Sequence, residues 1–224
     1  MHQRTGTVVV ALLNHRLELA ALGDVAHQPP YKAPPSRPVL GIKPRNTHLK
    51  PGAVVAVPAG EAAVVIGATL GIVIGRTACR VSEGDAMACV AGYTVAADLS
   101  LPIDSHASHA SHYRPAIRQR ARDGFCPISD DVIARDRLAD PDSLSVCIRI
   151  DGALAQQTST AQRIRGVARL IADISDFMTL SPGDVLLLGA AAGSPRAGPG
   201  QSVSIEIDGL APLRFTLIAE GNAA

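Results

Sequence analysis

The sequence predicts an α+β, mostly β chain, and three observations carry the prediction. Short apolar runs recur along the 224 residues and are closed by glycine, proline or Asp-Gly turns. One stretch, residues 162–178, places Ile164, Val167, Ala168, Leu170, Ile171, Ile174 and Phe177 at helical spacing. Strand-like and helix-like segments are mixed, with many more of the former, which suits an α+β or mostly β layer arrangement.

In chain order, Thr7 to Leu13 reads as a buried strand. A turn at Asn14-His15 follows, then a second strand into Leu22. Gln28 to Pro38 holds five prolines and must be an extended surface connection. Val39 to Ile42 is a short strand entering Lys43-Pro44. Val54 to Val57 and Ala63 to Ile66 are strands parted by a Pro58-Ala59-Gly60 turn. Leu70 to Ile74 is a continuous apolar run, as for a strand covered on both faces. Ser82-Glu83-Gly84-Asp85 offers a capped start to a helix through Val90. Gly92 to Leu99 is β-like. Cys147 to Ile150, Asp151-Gly152 and Ala153 to Gln156 form a hairpin pattern, since Asp-Gly accepts the positive φ of a tight turn. Thr179 to Leu188, Ser202 to Ile207 and Leu213 to Leu217 complete the strands. No internal repeat occurs.

Composition narrows the class. Aromatics make up 3% and tryptophan is absent, so the core must be Val, Ile, Leu and Ala. The length suits one domain or a tightly built pair. A net charge of +1 gives no electrostatic case for nucleic acid or a membrane surface. Cys79, Cys89, Cys126 and Cys147 form no CxxC pair and read as reduced thiols of a cytoplasmic protein. The opening residues lack the pattern of a signal peptide, and no apolar run reaches spanning length. High Ala, Gly and Arg content matches a GC-rich bacterial coding sequence, which is an association only.

Two blocks carry a resemblance. Ile66-Gly67-Ala68-Thr69-Leu70-Gly71-Ile72-Val73-Ile74-Gly75-Arg76 and Val90-Ala91-Gly92-Tyr93-Thr94-Val95-Ala96-Ala97-Asp98-Leu99-Ser100 resemble the motif pair of the fumarylacetoacetate hydrolase family. There the blocks read E-x-E-L-A-V-V-I-G and G-Y-T-V-x-N-D-V-S. Lys43-Pro44 with Asn46-Thr47, and Leu180-Ser181-Pro182-Gly183-Asp184-Val185-Leu186, match further family segments. The resemblance runs from about Pro38 to about Leu217. It implies a twisted β-roll-like core over residues 38–224, preceded by a smaller β portion over 1–37. In the family, two glutamates and the aspartate hold a divalent metal, Mg²⁺ or Mn²⁺. Here Asp98 is retained, while the glutamate positions fall on Gly67 and Thr69. The family's active-site lysine position falls on Arg120, and a threonine of its T-G-T-P-x-G segment on Ala190.

Tyr113-Arg114-Pro115-Ala116-Ile117-Arg118, Arg122-Asp123-Gly124-Phe125-Cys126-Pro127-Ile128 and the segment from Thr160 through Leu170 resemble one branch of the family. That branch is the N-terminal half or subunit of the isomerase/decarboxylases of 4-hydroxyphenylacetate (homoprotocatechuate) degradation, where a second, homologous half carries the full metal set. The resemblance therefore implies decarboxylation of 5-oxopent-3-ene-1,2,5-tricarboxylate and isomerisation of 2-hydroxyhepta-2,4-diene-1,7-dioate. It also implies a homo-oligomer, such as a dimer, or a hetero-oligomer with a metal-bearing homologous subunit. The alternative is a catalytically silent paralogue that scaffolds such a partner.

The residues themselves leave their roles open. Asp98 reads as a residual metal ligand or acid/base group, or as a structural aspartate. A hard divalent ion needs several oxygen ligands, and Asp98 alone supplies too few. Arg114, Arg118 and Arg122 share a face if helical, and Arg118, Arg120 and Arg122 do if extended. With Tyr113, these guanidinium groups suit a polycarboxylate substrate. They equally suit a solvated face paired with Asp123, Asp130 and Asp131. Lys43, forced extended by Pro44, could aim inward at a carboxylate or end a strand at the surface. His106, His109 and His112 read as a loop of repeated Ser-His-Ala, more than as a metal run. Gly67 and Gly71 read as close-packing positions, and Cys126 as a buried thiol.

Overall fold

The computed structural model describes residues 6–29, 32–102 and 116–221. The strands are β1 (Val8–Leu12), β2 (Val39–Lys43), β3 (His48–Leu49), β4 (Val54–Val57), β5 (Val64–Ile74), β6 (Val90–Ser100), β7 (Cys126–Pro127), β8 (Ile133–Ala134), β9 (Ser145–Ile150), β10 (Ala153–Ser159), β11 (Val185–Leu187), β12 (Arg196–Ala197), β13 (Ser202–Ile207) and β14 (Leu213–Ala219). The α-helices are α1 (Arg16–Ala20), α2 (Glu83–Ala86), α3 (Ala116–Arg120) and α4 (Val167–Ser175). A seven-stranded sheet runs in the order β2-β1-β11-β5-β6-β8, with β12 also on β5. A five-stranded sheet runs β10-β9-β13-β14-β4, and β3 pairs with β7. The expected mostly β, α+β architecture is the one observed.

The long antiparallel pair β5–β6 is the spine of the larger sheet. Both strands are apolar almost throughout because neighbours and packed layers cover them on both sides. The sequence suggested two strands parted near Gly67; the chain instead runs unbroken through Val64–Ile74. Gly67 and Gly71 do permit the close packing expected of them. A Cβ on Gly71 would stand 2.7 Å from Thr94 Cγ2 on the neighbouring strand. Alternation along the strands splits the apolar residues between two clusters. Ile66, Leu70, Ile72, Val95 and Leu99 join Leu170, Ile174, Ile148 and Phe215 in the larger one. Val8, Val10, Val73, Ala96, Cys126, Ile128, Val185 and Leu187 form the other.

Other elements differ from the expectation: the strand read over Thr179 to Leu188 is β11 alone, and the helix read through Val90 ends at Ala86. The segment after Asn14 is not a strand but the short helix α1, followed by a 3₁₀ turn over Gly23–His27. His15 caps it, its Nδ1 accepting from Leu17 N–H at 3.3 Å. Arg-Leu-Glu-Leu-Ala also contains no β-branched residue and favours helix. The helix expected over 162–178 shrinks to α4 because Thr160–Gln162 forms a 3₁₀ turn and residues 163–166 are not helical. The Asp142 carboxylate accepts the Val167 N–H at 2.9 Å, fixing the helix start there. Val167, Leu170, Ile171 and Ile174 face the core as their spacing requires, while Phe177 is left exposed. The hairpin between β9 and β10 turns at Asp151 and Gly152 with φ of 51° and 82°, as Asp-Gly predicted. All four cysteines are free thiols. No described helix is long and apolar enough to cross a membrane.

Within the larger sheet β1 pairs with β2 and β11, so strands on either side of residue 37 lie side by side. Asn14, just beyond β1, ties three segments. Its Nδ2 donates to Leu188 O at 2.9 Å and Arg165 O at 3.0 Å, and its Oδ1 accepts from Arg165 N–H at 2.9 Å. Three polar groups depend on this one buried side chain. We expect Asn14→Leu to destabilise the fold by about 2–4 kcal/mol, because the partners stay buried without replacements. Denaturant unfolding with a two-state fit measures it.

Candidate active site

The site grows from the end of β6. Asp98 sits directly across from Gly67 on β5, and its side chain is 1% exposed. Two cations hold it. Lys43, at the end of β2 before Pro44, reaches inward with a fully buried side chain and stands 2.7 Å from Asp98 Oδ1. Arg120, at the end of α3, pairs with Asp98 Oδ2. The three ammonium hydrogens of Lys43 are taken by the carbonyls of Leu99 (2.8 Å), Arg120 (2.8 Å) and Phe125 (3.0 Å). Its contact with Asp98 is therefore one of charge, and no hydrogen remains for a ligand. The inward direction read from Lys43-Pro44 is the observed one, but the ammonium serves the protein itself. Arg120 differs: its guanidinium is partly exposed, and its buried Nε has no hydrogen-bond partner among the described residues.

A second group converges from the first turn after β1, and the sequence reading missed it. Helix α1 carries Glu18, a half-buried carboxyl. Burial raises its pKa above the ordinary 4.5. Arg120 and Arg163 pull it back down, and Asp98 pushes it up again. Glu18 thus lies within electrostatic reach of both arginines and of Asp98. His15, three residues earlier, is buried and bridges backbone to backbone with Arg163. Its imidazole is held below its ordinary value, first by burial and then by Arg163. With Nδ1 accepting from Leu17, the neutral ring carries its proton on Nε2, which has no partner among the described residues. Burial pushes Arg163 down to about 10, with Glu18 opposing. The signal was present as His-x-x-Glu, residues three apart that neighbour each other on a helix. Read as a strand, the same spacing puts them on opposite faces.

The remaining predicted residues divide. Arg118 is exposed, and Arg122 donates Nε to Arg118 O at 3.1 Å, so neither side chain is drawn to Asp98. Asp123 accepts from Asn46 Nδ2 at 2.6 Å. Tyr113, Arg114, His106, His109 and His112 lie outside the described residues.

The residues present do not fit a divalent metal. Asp98 is already paired with two cations. A side chain at Gly67 would begin 2.7 Å from the main-chain oxygen of Asp98 and 2.9 Å from Ala190 Cβ, so one could enter there only if the neighbours shifted. The Thr69 hydroxyl accepts from Gly189 N–H at 3.0 Å and is fully buried. Among the described residues, no group of three His, Cys, Asp or Glu side chains could share an ion. The metal-ligand reading of Asp98 gives way to an ion-paired carboxylate.

With this geometry in hand, comparison with known proteins places the chain. The family model described as fumarylacetoacetate (FAA) hydrolase C-terminal matches residues 7–218. The 4-hydroxyphenylacetate degradation bifunctional isomerase/decarboxylase of Escherichia coli is 40% identical over 215 residues, covering 96% of this chain and 48% of its own. The chain spans about half the length of these curated relatives that it matches. The crystal structure of 5-carboxymethyl-2-hydroxymuconate delta-isomerase from Mycobacterium smegmatis superposes with a TM-score of 0.80 at 27% identity, covering 98% of this chain and 81% of that one. Fumarylpyruvate hydrolase from Pseudomonas aeruginosa, solved with Mn²⁺ and pyruvate, has a TM-score of 0.81 at 23% identity, covering 96% of this chain and 90% of that one, a likeness of fold.

Two outcomes follow from the charges. Lys43→Met leaves Asp98 short of one cation and three carbonyls without donors, so we expect a loss of about 3–5 kcal/mol, measured by chemical unfolding. His15 has a lowered folded pKa, so the unfolded chain binds its proton first on acidification. Stability should therefore fall as pH drops below about 6.5. His15→Gln should flatten that part of a plot of unfolding free energy against pH.

Proposed function

We propose, from the premise that this chain belongs to the fumarylacetoacetate hydrolase family, that it is the decarboxylase/isomerase unit for 2-oxo-ene polycarboxylates. The reactions are decarboxylation of 5-oxopent-3-ene-1,2,5-tricarboxylate and isomerisation of 2-hydroxyhepta-2,4-diene-1,7-dioate, in 4-hydroxyphenylacetate breakdown. The observation that carries the reading is Glu18: a half-buried carboxyl with a raised pKa, set within reach of two guanidinium groups. The names of the 40%-identical relative and of the superposing isomerase support it.

Tautomerising a dienol takes a proton from the enol oxygen and delivers one to the far carbon of the diene. A carboxyl whose pKa is raised toward neutrality suits both roles, base then acid. Negative charge gathers on the 2-oxo oxygen during this transfer and also when CO₂ leaves. Preorganised guanidinium N–H groups in a water-poor cleft stabilise such charge. Arg120, with its unpartnered Nε, is the group positioned for that task. His15, neutral with its proton on Nε2, can donate a hydrogen bond to the substrate without adding charge. Asp98 and Lys43 act one layer back, fixing Arg120. In this reading catalysis requires no divalent ion. The protein works in the cytoplasm, as a homo-oligomer or beside a homologous subunit.

A second reading keeps the chain as a silent paralogue supporting a metal-bearing homologous partner. The missing ligand set and the half-length match to its relatives favour it.

Turnover of the tricarboxylate by the pure chain in EDTA, followed as CO₂ release and diene absorbance, decides between them. We expect activity that EDTA leaves unchanged and that falls on acidification through a midpoint above 4.5, where Glu18 protonates. Glu18→Gln should lower kcat about 10²–10⁴-fold. Activity that arises only on adding a metal-bearing homologous subunit would establish the second reading instead.

A further inference from the structure

The outer face of the five-stranded sheet carries a charged groove that the reaction proposed above does not use. Along β13 the side chains of Val203, Ile205 and Ile207 are buried, so Ser202, Ser204 and Glu206 point outward. The same alternation on β14 buries Leu213, Phe215 and Leu217 and leaves Arg214 and Thr216 outside. Register then sets one row across three strands. Ser204 lies opposite Arg214 of β14 on one side and opposite Arg149 of β9 on the other. The two arginines flank the serine with their Cα atoms about 10 Å apart, two inter-strand steps. The short side chains between them leave a hollow. Arg149, Arg214, Ser202, Ser204, Glu206 and Thr216 line an open groove of about 410 Å³.

The protein's own acids use these cations poorly. Glu206 meets Arg149 Nε at 3.4 Å with each oxygen, and the two side chains are 38% and 41% exposed. A long, solvated pair of this kind is weak. Asp151, in the β9–β10 turn, is occupied elsewhere. It accepts from Ser202 N–H at 2.8 Å, Ser202 Oγ at 3.1 Å and Gln201 Nε2 at 2.9 Å. Arg214 has no ion pair and no side-chain hydrogen bond among the described residues. The lining thus sets two guanidinium groups against one carboxylate. The hydroxyls of Thr216 and Ser204, the latter 3.4 Å from Glu206 Oε1, add further donors.

We propose that this groove is an anion site, which takes a phosphate or carboxylate group of a small metabolite above Ser204, between Arg149 and Arg214. Guanidinium groups on two sides of an oxyanion can bond different oxygens of it, and such charge-assisted bonds are the strong ones. Ser204 forms the floor, where a hydroxyl can donate and a larger side chain would fill the space. Arg149 gives up only a weak surface pair, and Arg214 gives up none.

The probe is inorganic phosphate, added to the full chain at constant ionic strength and followed by backbone amide NMR shifts. Wild type should show saturable shifts confined to the residues around the groove. Arg214→Met should weaken phosphate binding about 5–10-fold with the Tm unchanged, because one charge-assisted contact is lost and no protein partner is. Ser204→Val should also weaken it, by removing a donor and raising the floor. Arg196→Met, which removes an exposed charge on β12 outside the groove, should leave the affinity as it was. Malonate in place of phosphate separates the two sources of the anion. Tighter phosphate binding assigns a phosphorylated ligand and tighter malonate binding a carboxylate, and both support the site. Shifts that do not saturate with either anion would overturn the proposal. So would an equal loss of affinity in Arg214→Met and Arg196→Met, since the arginines would then act only as diffuse surface charge.

Discussion

Asp98 and Lys43 form the contact on which both the fold and the site rest. A carboxylate at 1% exposure and an ammonium at 0% are each expensive to bury alone. Together, with three carbonyls completing the ammonium's shell, they become tolerable. Those carbonyls belong to the end of β6, the end of α3 and the turn before β7. One side chain from the sheet edge therefore fixes the path of the chain around Asp98, and Arg120 is delivered to Asp98 as part of the same arrangement. The geometry of the candidate site is in this sense a by-product of how the protein solves a desolvation problem.

The local charge follows. Asp98 and Glu18 stand against Lys43, Arg120 and Arg163, leaving an excess of one positive charge, with His15 neutral. The whole chain carries a net charge of only +1, so this excess is local to these side chains and needs no broadly basic protein. A polyanionic ligand would be drawn to it without any long-range basic patch. The same excess keeps the Glu18 carboxyl from drifting further upward, since burial and the two arginines act in opposite directions on it.

Much of this was legible in the sequence, and the parts that were not have physical causes. Apolar strands, the Asp-Gly hairpin and the core face of α4 could be read because their periodicity is local and their burial one-sided. Asp98, Arg120 and Lys43 were found through the motifs around them. His15 and Glu18 were lost because a short helix with exposed Leu17 has no core stripe to announce it, and the segment reads equally as a strand. The shortened α4 depends on Asp142, 25 residues away, capping Val167, which no window around the helix reveals. Arg163 carries no local pattern. Arg118 and Arg122 fitted a substrate clamp and a solvated face equally, because clustering in sequence does not say which side chains meet in space.

The departures from the family's metal motif act as one unit. Gly67 lies opposite Asp98, and a Cβ there would meet Ala190, the position that resembles the family's threonine, at 2.9 Å. Thr69 spends its hydroxyl on the backbone of Gly189, in the same loop. In this chain the Gly189-Ala190 segment lies against β5 at both positions, and Arg120 and Lys43 supply the positive charge beside Asp98. Returning a glutamate to position 67 alone would press on Ala190 and on the main chain of Asp98. A metal would have to displace Arg120 from Asp98 to bind. In the proposed reading the site is a different electrostatic solution: guanidinium donors would stand in place of a Lewis acid, with His15 and Glu18, at the start of α1, handling the proton.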